Sequence, residues 1–169
     1  MKRQYNAIKA ENQDCILFFR LGDFYEMFDD DARLAARELD LTLTTRDRSK
    51  PKEEQTPMCG VPYHSVDSYI ARLVSKGYKV AICEQTEDPA NAKGIVQRGI
   101  TRIVTPGTVT ESCMLDESKN NYLACLYGDE GRFGLAFCDV STGAFYVTVC
   151  EDAQRAASEL GRFSPAEVI

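Results

Sequence analysis

An aromatic ring and a carboxylate stand two residues apart near the start of this chain. Phe24 and Glu26 follow the segment Leu21-Gly22-Asp23, in which the glycine can form a tight turn. Residues i and i+2 of a strand point to the same side, so Phe24 and Glu26 are predicted to project together and Tyr25 to the opposite side. A flat apolar side chain beside a hydrogen-bonding group can separate two stacked bases and test one of them. An aromatic residue in an apolar strand is also commonly a core residue, so these residues alone leave a structural role open.

A second group of residues that could have a chemical role is a run of basic residues. The stretch Arg46 to Pro57 has no apolar periodicity and is predicted to be a loop. Cationic side chains of this kind can contact phosphates, and a purely solvated loop is the alternative. Its four cations, together called the basic loop, are Arg46, Arg48, Lys50 and Lys52.

Groups that could bind a metal or act as nucleophiles give weaker patterns. Asp29-Asp30-Asp31 could bind Mg²⁺, but acidic residues at a helix start explain them more simply. Asp139 stands before a glycine hairpin, as the first metal ligand of ribonuclease H-like nucleases does, yet two-metal catalysis needs several converging carboxylates. His64 is the only histidine, and no CxxC pair occurs, so zinc ligation is not expected. Five cysteines lie in apolar runs and are predicted to be buried, reduced thiols, namely Cys15, Cys83, Cys125, Cys138 and Cys150.

The net charge of −6 is unevenly distributed along the 169 residues. Residues 1–110 hold 16 basic and 16 acidic residues, whereas residues 111–169 hold 4 basic and 10 acidic residues. The acidity therefore belongs to the C-terminal third, and a neutral N-terminal part can still carry a basic face. Charge thus neither indicates nor excludes nucleic-acid binding.

Apolar patterning predicts an α+β chain with two domains. In residues 1–108 strands and helices interleave, which indicates a mixed β-sheet covered by helices. Residues 109–121 are polar and aperiodic, and are predicted to be a linker. From residue 122 to 169, three strands with short glycine-containing connections indicate an antiparallel meander. The predicted elements are helices at 2–12, 29–39, 65–77 and 152–161, strands at 15–21, 24–28, 41–45, 78–85, 122–127, 132–140 and 144–149, and a further strand at the end of the segment 94–104.

Several further motifs follow one another along the chain. The first is the string from Phe18 to Ala32, which contains Phe24-Tyr25-Glu26. The others, in order, are Leu41-Thr42-Leu43-Thr44, Pro57-Met58-Cys59-Gly60-Val61-Pro62-Tyr63-His64, Ala81-Ile82-Cys83-Glu84-Gln85, Arg102-Ile103-Val104-Thr105-Pro106-Gly107-Thr108 and Asp139-Val140-Ser141-Thr142-Gly143. In this order the motifs resemble the N-terminal region of the MutS family of DNA mismatch repair proteins, and the resemblance covers essentially the whole chain.

This resemblance implies recognition of mismatched or looped base pairs in double-stranded DNA. It implies that Phe24 inserts from the minor groove and stacks on a mispaired base. Glu26 would hydrogen-bond that base, either by accepting a hydrogen bond from it or, once protonated, by donating one to it. The candidate contacts to the DNA backbone are the basic loop together with Met58 and Arg102. No catalytic or metal-binding residue is implied.

The resemblance also implies how the chain is organised. Residues 1–108 would be the mismatch-recognition domain, and residues 122–169 the truncated start of a ribonuclease H-like α/β connector domain. The full-length parent is expected to be a homodimeric, DNA-dependent ATPase that uses ATP and Mg²⁺ and works with downstream repair factors, although this chain has no nucleotide-binding motif. No membrane span or signal peptide is predicted, so a cytoplasmic location is expected. The alternatives are a metal-dependent nuclease fragment centred on Asp139 and a protein–protein connector without DNA contact.

Overall fold

The computed structural model describes residues 1–49, 51–87 and 94–169, apart from the side chain of Lys52. Its contacts divide the chain into two compact units, Met1–Val104 and Thr105–Ile169, each with its own sheet. The predicted α+β class, with a mixed sheet covered by helices, is confirmed. The division at residue 108 and the linker at 109–121 stay predictions, and within that linker Val109 is buried. None of the helices in the described residues is long and apolar enough to span a membrane.

The first unit contains three helices and a six-stranded mixed sheet. The helices are α1 (Lys2–Glu11), α2 (Asp29–Leu39) and α3 (Val66–Val74), and the strands are β1 (Cys15–Leu21), β2 (Phe24–Phe28), β3 (Thr44–Thr45), β4 (Pro57–Pro62), β5 (Lys79–Gln85) and β6 (Arg98–Val104). The strand order is β3-β4-β2-β1-β5-β6. Strands β1 and β5 are parallel, and the other neighbouring pairs are antiparallel.

The two faces of this sheet are covered by different helices. On one face, here called the α1 face, Leu17 and Phe19 pack with Tyr5 of α1. The other face, which carries Phe18 and Tyr25, packs against α2 and α3. The buried Asp31 ties α1, α2 and β1 together, because it accepts hydrogen bonds from the Tyr5 hydroxyl at 2.9 Å and the Leu17 amide at 3.0 Å. Asp31 also pairs with Lys9 at 2.9 Å, which makes it a structural residue.

Two strands of the first unit differ from the predictions. The strand predicted over residues 41–45 is reduced to Thr44–Thr45, and β4 was not predicted. Prolines at both ends and a central glycine disguise β4, since these residues usually mark turns. Gly60 is nevertheless paired with Glu26, and a Cβ atom at position 60 would lie 3.1 Å from the carbonyl oxygen of Tyr25. The close approach of β2 therefore explains why a glycine stands in this strand.

The second unit is a four-stranded sheet with one helix. Its elements are β7 (Tyr122–Asp129), β8 (Arg132–Asp139), β9 (Ala144–Cys150), α4 (Ala153–Phe163) and β10 (Glu167–Val168). The strand order is β10-β7-β8-β9, and β10 is parallel to β7. Helix α4 covers one face, where Phe137 stacks on Phe163 with ring centroids 4.0 Å apart. The other face exposes Tyr127, Phe145, Val147 and Val149.

The cysteine predictions are partly confirmed. All seven cysteines are free thiols. Cys15, Cys83 and Cys150 are buried as predicted, whereas the prediction is wrong for Cys125, which is exposed, and for Cys138, which is partly exposed. By strand alternation both lie on the sheet face that α4 does not cover.

Candidate nucleic-acid interface

Phe24 stands at the first position after a two-residue hairpin turn between β1 and β2. Gly22 has φ +58°, while Asp23 does not adopt a positive φ, which is the φ pattern of a type II′ turn. Two hydrogen bonds hold this turn, from the Arg20 Nε to the carbonyl of Gly22 at 2.6 Å and from the Tyr63 amide to the carbonyl of Asp23 at 2.9 Å. Phe24 is 47% exposed, although four of the five residues of β2 are buried. The fold therefore presents one ring to solvent from a well-anchored turn.

A cluster of polar and aromatic side chains supports this turn from the sheet face opposite α1. The Arg20 guanidinium lies 3.9 Å from the centre of the Tyr63 ring and 3.8 Å from the Glu84 carboxylate. The Tyr25 hydroxyl donates a hydrogen bond to the same carboxylate. Burial, followed by this hydrogen bond, raises the pKa of Tyr25 to about 12. The phenol therefore stays protonated and keeps donating at neutral pH, which fixes the strand behind Phe24.

Glu26 lies on the same sheet face as Phe24 but is 8% exposed. Its Oε1 accepts a hydrogen bond from a terminal guanidinium nitrogen of Arg46 at 2.5 Å, and the Arg46 side chain is itself 50% exposed. Its Oε2 is enclosed without a hydrogen-bond partner, and it is the one such side-chain atom among the described residues. A buried acceptor left unpaired is costly, so this oxygen is a candidate to receive a donor from outside.

The structure brings together only some of the residues that the sequence predicted for the site. Phe24, Glu26 and Arg46 lie on the α1 face near the hairpin. Arg48 is exposed in the same segment, Lys50 lies outside the described residues, and of Lys52 only the backbone is described. Met58 is 9% exposed and packs in the core beneath the α1 face, so the structure lends no support to a backbone contact there. These assignments stay predictions.

Arg102 lies apart from this group because of a β-bulge. Strand β6 is at the far edge of the sheet from β3 and β4. Its register with β5 shifts between Ile82, opposite Arg102, and Cys83, opposite Ile100, so Thr101 is an extra residue. One extra residue reverses the alternation, and Arg102 is therefore on the face opposite to Phe24.

The same bulge leaves Arg98, for which the sequence pattern predicted no role, on the α1 face. Its guanidinium lies 5.2 Å from the centre of the Phe19 ring and donates to the carbonyl of Arg20 at 2.7 Å and to Gln4 Oε1 at 3.2 Å. Burial lowers the pKa of Arg98 from its ordinary value. These contacts join β6 and α1 to the strand that enters the hairpin. The sequence signal for this position is that Arg98 stands two residues before the apolar Ile100, so the two share one face of a strand.

Asp139, the residue on which the nuclease alternative depends, is engaged in local hydrogen bonds. It is 1% exposed and accepts from the Ser141 amide at 2.9 Å, the Ser141 hydroxyl at 2.6 Å and the Asn121 amide at 3.1 Å. Burial acts to raise the pKa of Asp139, but the hydrogen bonds from Ser141, Asn121 and Thr142 outweigh it, so this pKa lies below its ordinary value. In the described part of the chain, no group of three or more His, Cys, Asp or Glu residues could hold a metal ion. Nothing in this geometry favours a nuclease.

Comparison with known proteins connects this geometry to a family. The family model described as MutS domain I matches residues 1–113, and that of MutS domain II matches residues 121–169. Proteins named DNA mismatch repair protein MutS are similar over 100% of this chain: the one from Acetivibrio thermocellus is 57% identical over 172 aligned residues, and the one from Pelotomaculum thermopropionicum is 60% identical over 173. The chain spans 20% of the length of each of these relatives. It therefore belongs to the MutS family of DNA mismatch repair proteins.

Proposed function

We propose that this chain recognises mismatched or looped base pairs in double-stranded DNA and thereby initiates mismatch repair. The observation that carries the proposal is the exposed Phe24 ring on an anchored hairpin, beside a carboxylate with an unpaired, enclosed oxygen. The names of its relatives, which are DNA mismatch repair proteins, support the same reading.

In this proposal Phe24 acts as a wedge that enters from the minor groove. Opening a base step costs a few kcal/mol of stacking and bends the duplex. A mismatched pair is already weakened, so the cost falls at a mismatch and selectivity follows from deformability. Stacking of a base on the ring returns roughly 1–3 kcal/mol. Because Arg20 and Tyr63 anchor the turn, little ordering of the backbone remains to be done on binding.

Glu26 provides the chemical test beside the wedge. On normal duplex the bases stay paired and stacked away from the enclosed carboxylate, so Glu26 gains no bond to a base there and only loses solvation, which disfavours binding. At a mismatch, a base edge released from pairing can satisfy the carboxylate. The enclosed position of Glu26 limits this contact to a base that has been displaced toward the protein.

For the remainder of the protein the proposal follows the family. The full-length protein would be a homodimer that binds ATP and Mg²⁺ outside this chain, works in the cytoplasm and passes the mismatch signal to downstream repair factors. The second unit would be the start of the connector between DNA-binding and ATPase regions.

The test is an equilibrium titration of the full-length protein against matched and single-mismatch duplexes at one stated salt concentration, because an affinity without its salt concentration is uninterpretable. Tighter binding to the mismatched duplex is expected, and it should depend on Phe24. Equal affinities for both duplexes would overturn the proposal.

A further inference from the structure

Glu26 cannot meet a base in the arrangement that the structure shows. One carboxylate oxygen is bonded to Arg46 at 2.5 Å, and the other is enclosed without a partner. The side chain of Glu26 is 11% exposed, while that of Arg46 is 50% exposed. The partner held by Glu26 is therefore a cation that reaches in from solvent, and it can leave more easily than the carboxylate can.

We infer that Arg46 is a latch on Glu26, an inference that rests on the proposed function. In the free protein and on matched duplex, Arg46 stays on the carboxylate. On a mismatched duplex a DNA phosphate takes the guanidinium, and the displaced base takes the carboxylate in its place. Arg46 then determines specificity, because its phosphate contact is made only when a mispaired base is present.

The chemistry of the two partners makes this exchange feasible. A guanidinium presents the same fork of donors to a carboxylate and to a phosphate. Arg46 can therefore form hydrogen bonds of the same geometry with either group. An ion pair with a half-exposed partner is weak and is readily exchanged near a strongly anionic surface. Removing Arg46 without a replacement would leave a buried, uncompensated carboxylate, which is costly. Matched bases stay stacked and paired in the helix and are not displaced toward the enclosed carboxylate of Glu26, so on matched DNA the latch stays closed.

Two simpler roles of Arg46 give different results when salt is varied. If Arg46 always contacts a phosphate, its removal changes the salt dependence of both duplexes equally. If Arg46 stays on Glu26 in every complex and only positions it, removal changes neither. If Arg46 is a latch, its removal changes the salt dependence of binding to the mismatched duplex alone.

The experiment measures dissociation constants of the full-length protein for matched and single-mismatch duplexes between about 50 and about 200 mM salt. Each phosphate contact contributes about 0.9 to the slope of log affinity against log salt, which is about a 3.5-fold difference over this range. For Arg46→Met we expect the slope to flatten by about one contact on the mismatched duplex and to stay unchanged on the matched duplex. Arg48→Met, from the same exposed segment, is the matched control and should treat both duplexes alike.

Glu26→Gln removes the charge that holds the latch closed. The matched-duplex slope should then steepen by about one contact, and the double variant Glu26→Gln with Arg46→Met should lose this steepening. Thermal unfolding of each variant identifies any that no longer fold, and the single and double variants test the latch independently. Equal changes on both duplexes for Arg46→Met, or a steepening that survives in the double variant, would overturn it. If the wild-type protein does not distinguish the duplexes at all, the proposed function fails. If the wild-type protein does distinguish them but Arg46→Met acts equally on both, only the latch fails.

Discussion

The substitution Phe24→Ala tests whether Phe24 is a wedge that enters DNA or a residue of the protein core, because its ring is only half buried. An aromatic side chain has roughly 200 Å² to bury. With 47% of Phe24 exposed, roughly 95 Å² remains for a base to cover. At about 25 cal/mol per Å² this area is worth about 2.4 kcal/mol, which agrees with the roughly 1–3 kcal/mol measured for stacking a base on an aromatic ring. We expect mismatch affinity to fall by about 50-fold.

The assay is a titration with fluorescent duplexes that differ only at one base pair, at one fixed salt concentration. Affinity for matched duplex should change little, because it depends on phosphate contacts. Phe145→Ala is the matched control, since Phe145 is also an exposed phenylalanine, at 64%, but belongs to the second unit. Equal losses on both duplexes together with a lowered melting temperature would refute the wedge and make Phe24 a structural residue.

The remaining predictions concern four other side chains. Glu26→Gln should tighten binding to matched duplex and lower the mismatch-to-match ratio, and an unchanged matched affinity in the same titration would contradict it. Arg20→Met should weaken mismatch binding by roughly 1 kcal/mol, because its hydrogen bond to the Gly22 carbonyl and its contact with the Tyr63 ring are lost while Phe24 is still present. Arg102→Met should weaken both duplexes alike and flatten their salt slopes by about one contact; an unchanged slope would mean that DNA does not reach its face of the sheet. Asp139→Asn should destabilise the second unit by about 1–3 kcal/mol. Folding lowers the pKa of Asp139, so its carboxylate contributes to the free energy of unfolding at pH values above its unfolded pKa of about 3.9. This contribution is lost as the pH falls through the folded pKa. The free energy of unfolding of the variant should therefore decrease less steeply at acid pH than that of the wild type.

The elements that position Phe24 could be predicted from the sequence because local patterns and tertiary packing agree there. The strands at 15–21 and 24–28 and the helix start at Asp29 are found at the predicted residues. A continuous apolar run, a glycine turn and three acidic residues at a helix N-terminus each give a local signal that needs no knowledge of distant segments. The same-side relation of Phe24 and Glu26 likewise follows from alternation alone.

The parts of the site that could not be predicted depend on contacts between distant segments. The pairing of Glu26 with Arg46 joins residues 20 positions apart, and it forms where β4, with its turn-like composition, lies between β2 and β3. The bulge at Thr101 could not be seen either, and without it Arg98, Ile100 and Arg102 would share one face. The burial of Glu26 could not be predicted either, because strand alternation gives the direction of a side chain but not which distant residues bury it.

The ion pair changes how the charge of Glu26 is understood. From sequence alone, an isolated carboxylate near phosphates repels normal duplex, and its removal should tighten binding directly. With Arg46 at 2.5 Å the local charge is compensated, so repulsion arises only when the pair opens. Any gain in matched affinity in Glu26→Gln then comes largely from a guanidinium freed to bind a phosphate. Selectivity would therefore depend on a pair of residues: the carboxylate keeps the cation from normal DNA, and a mispaired base releases it.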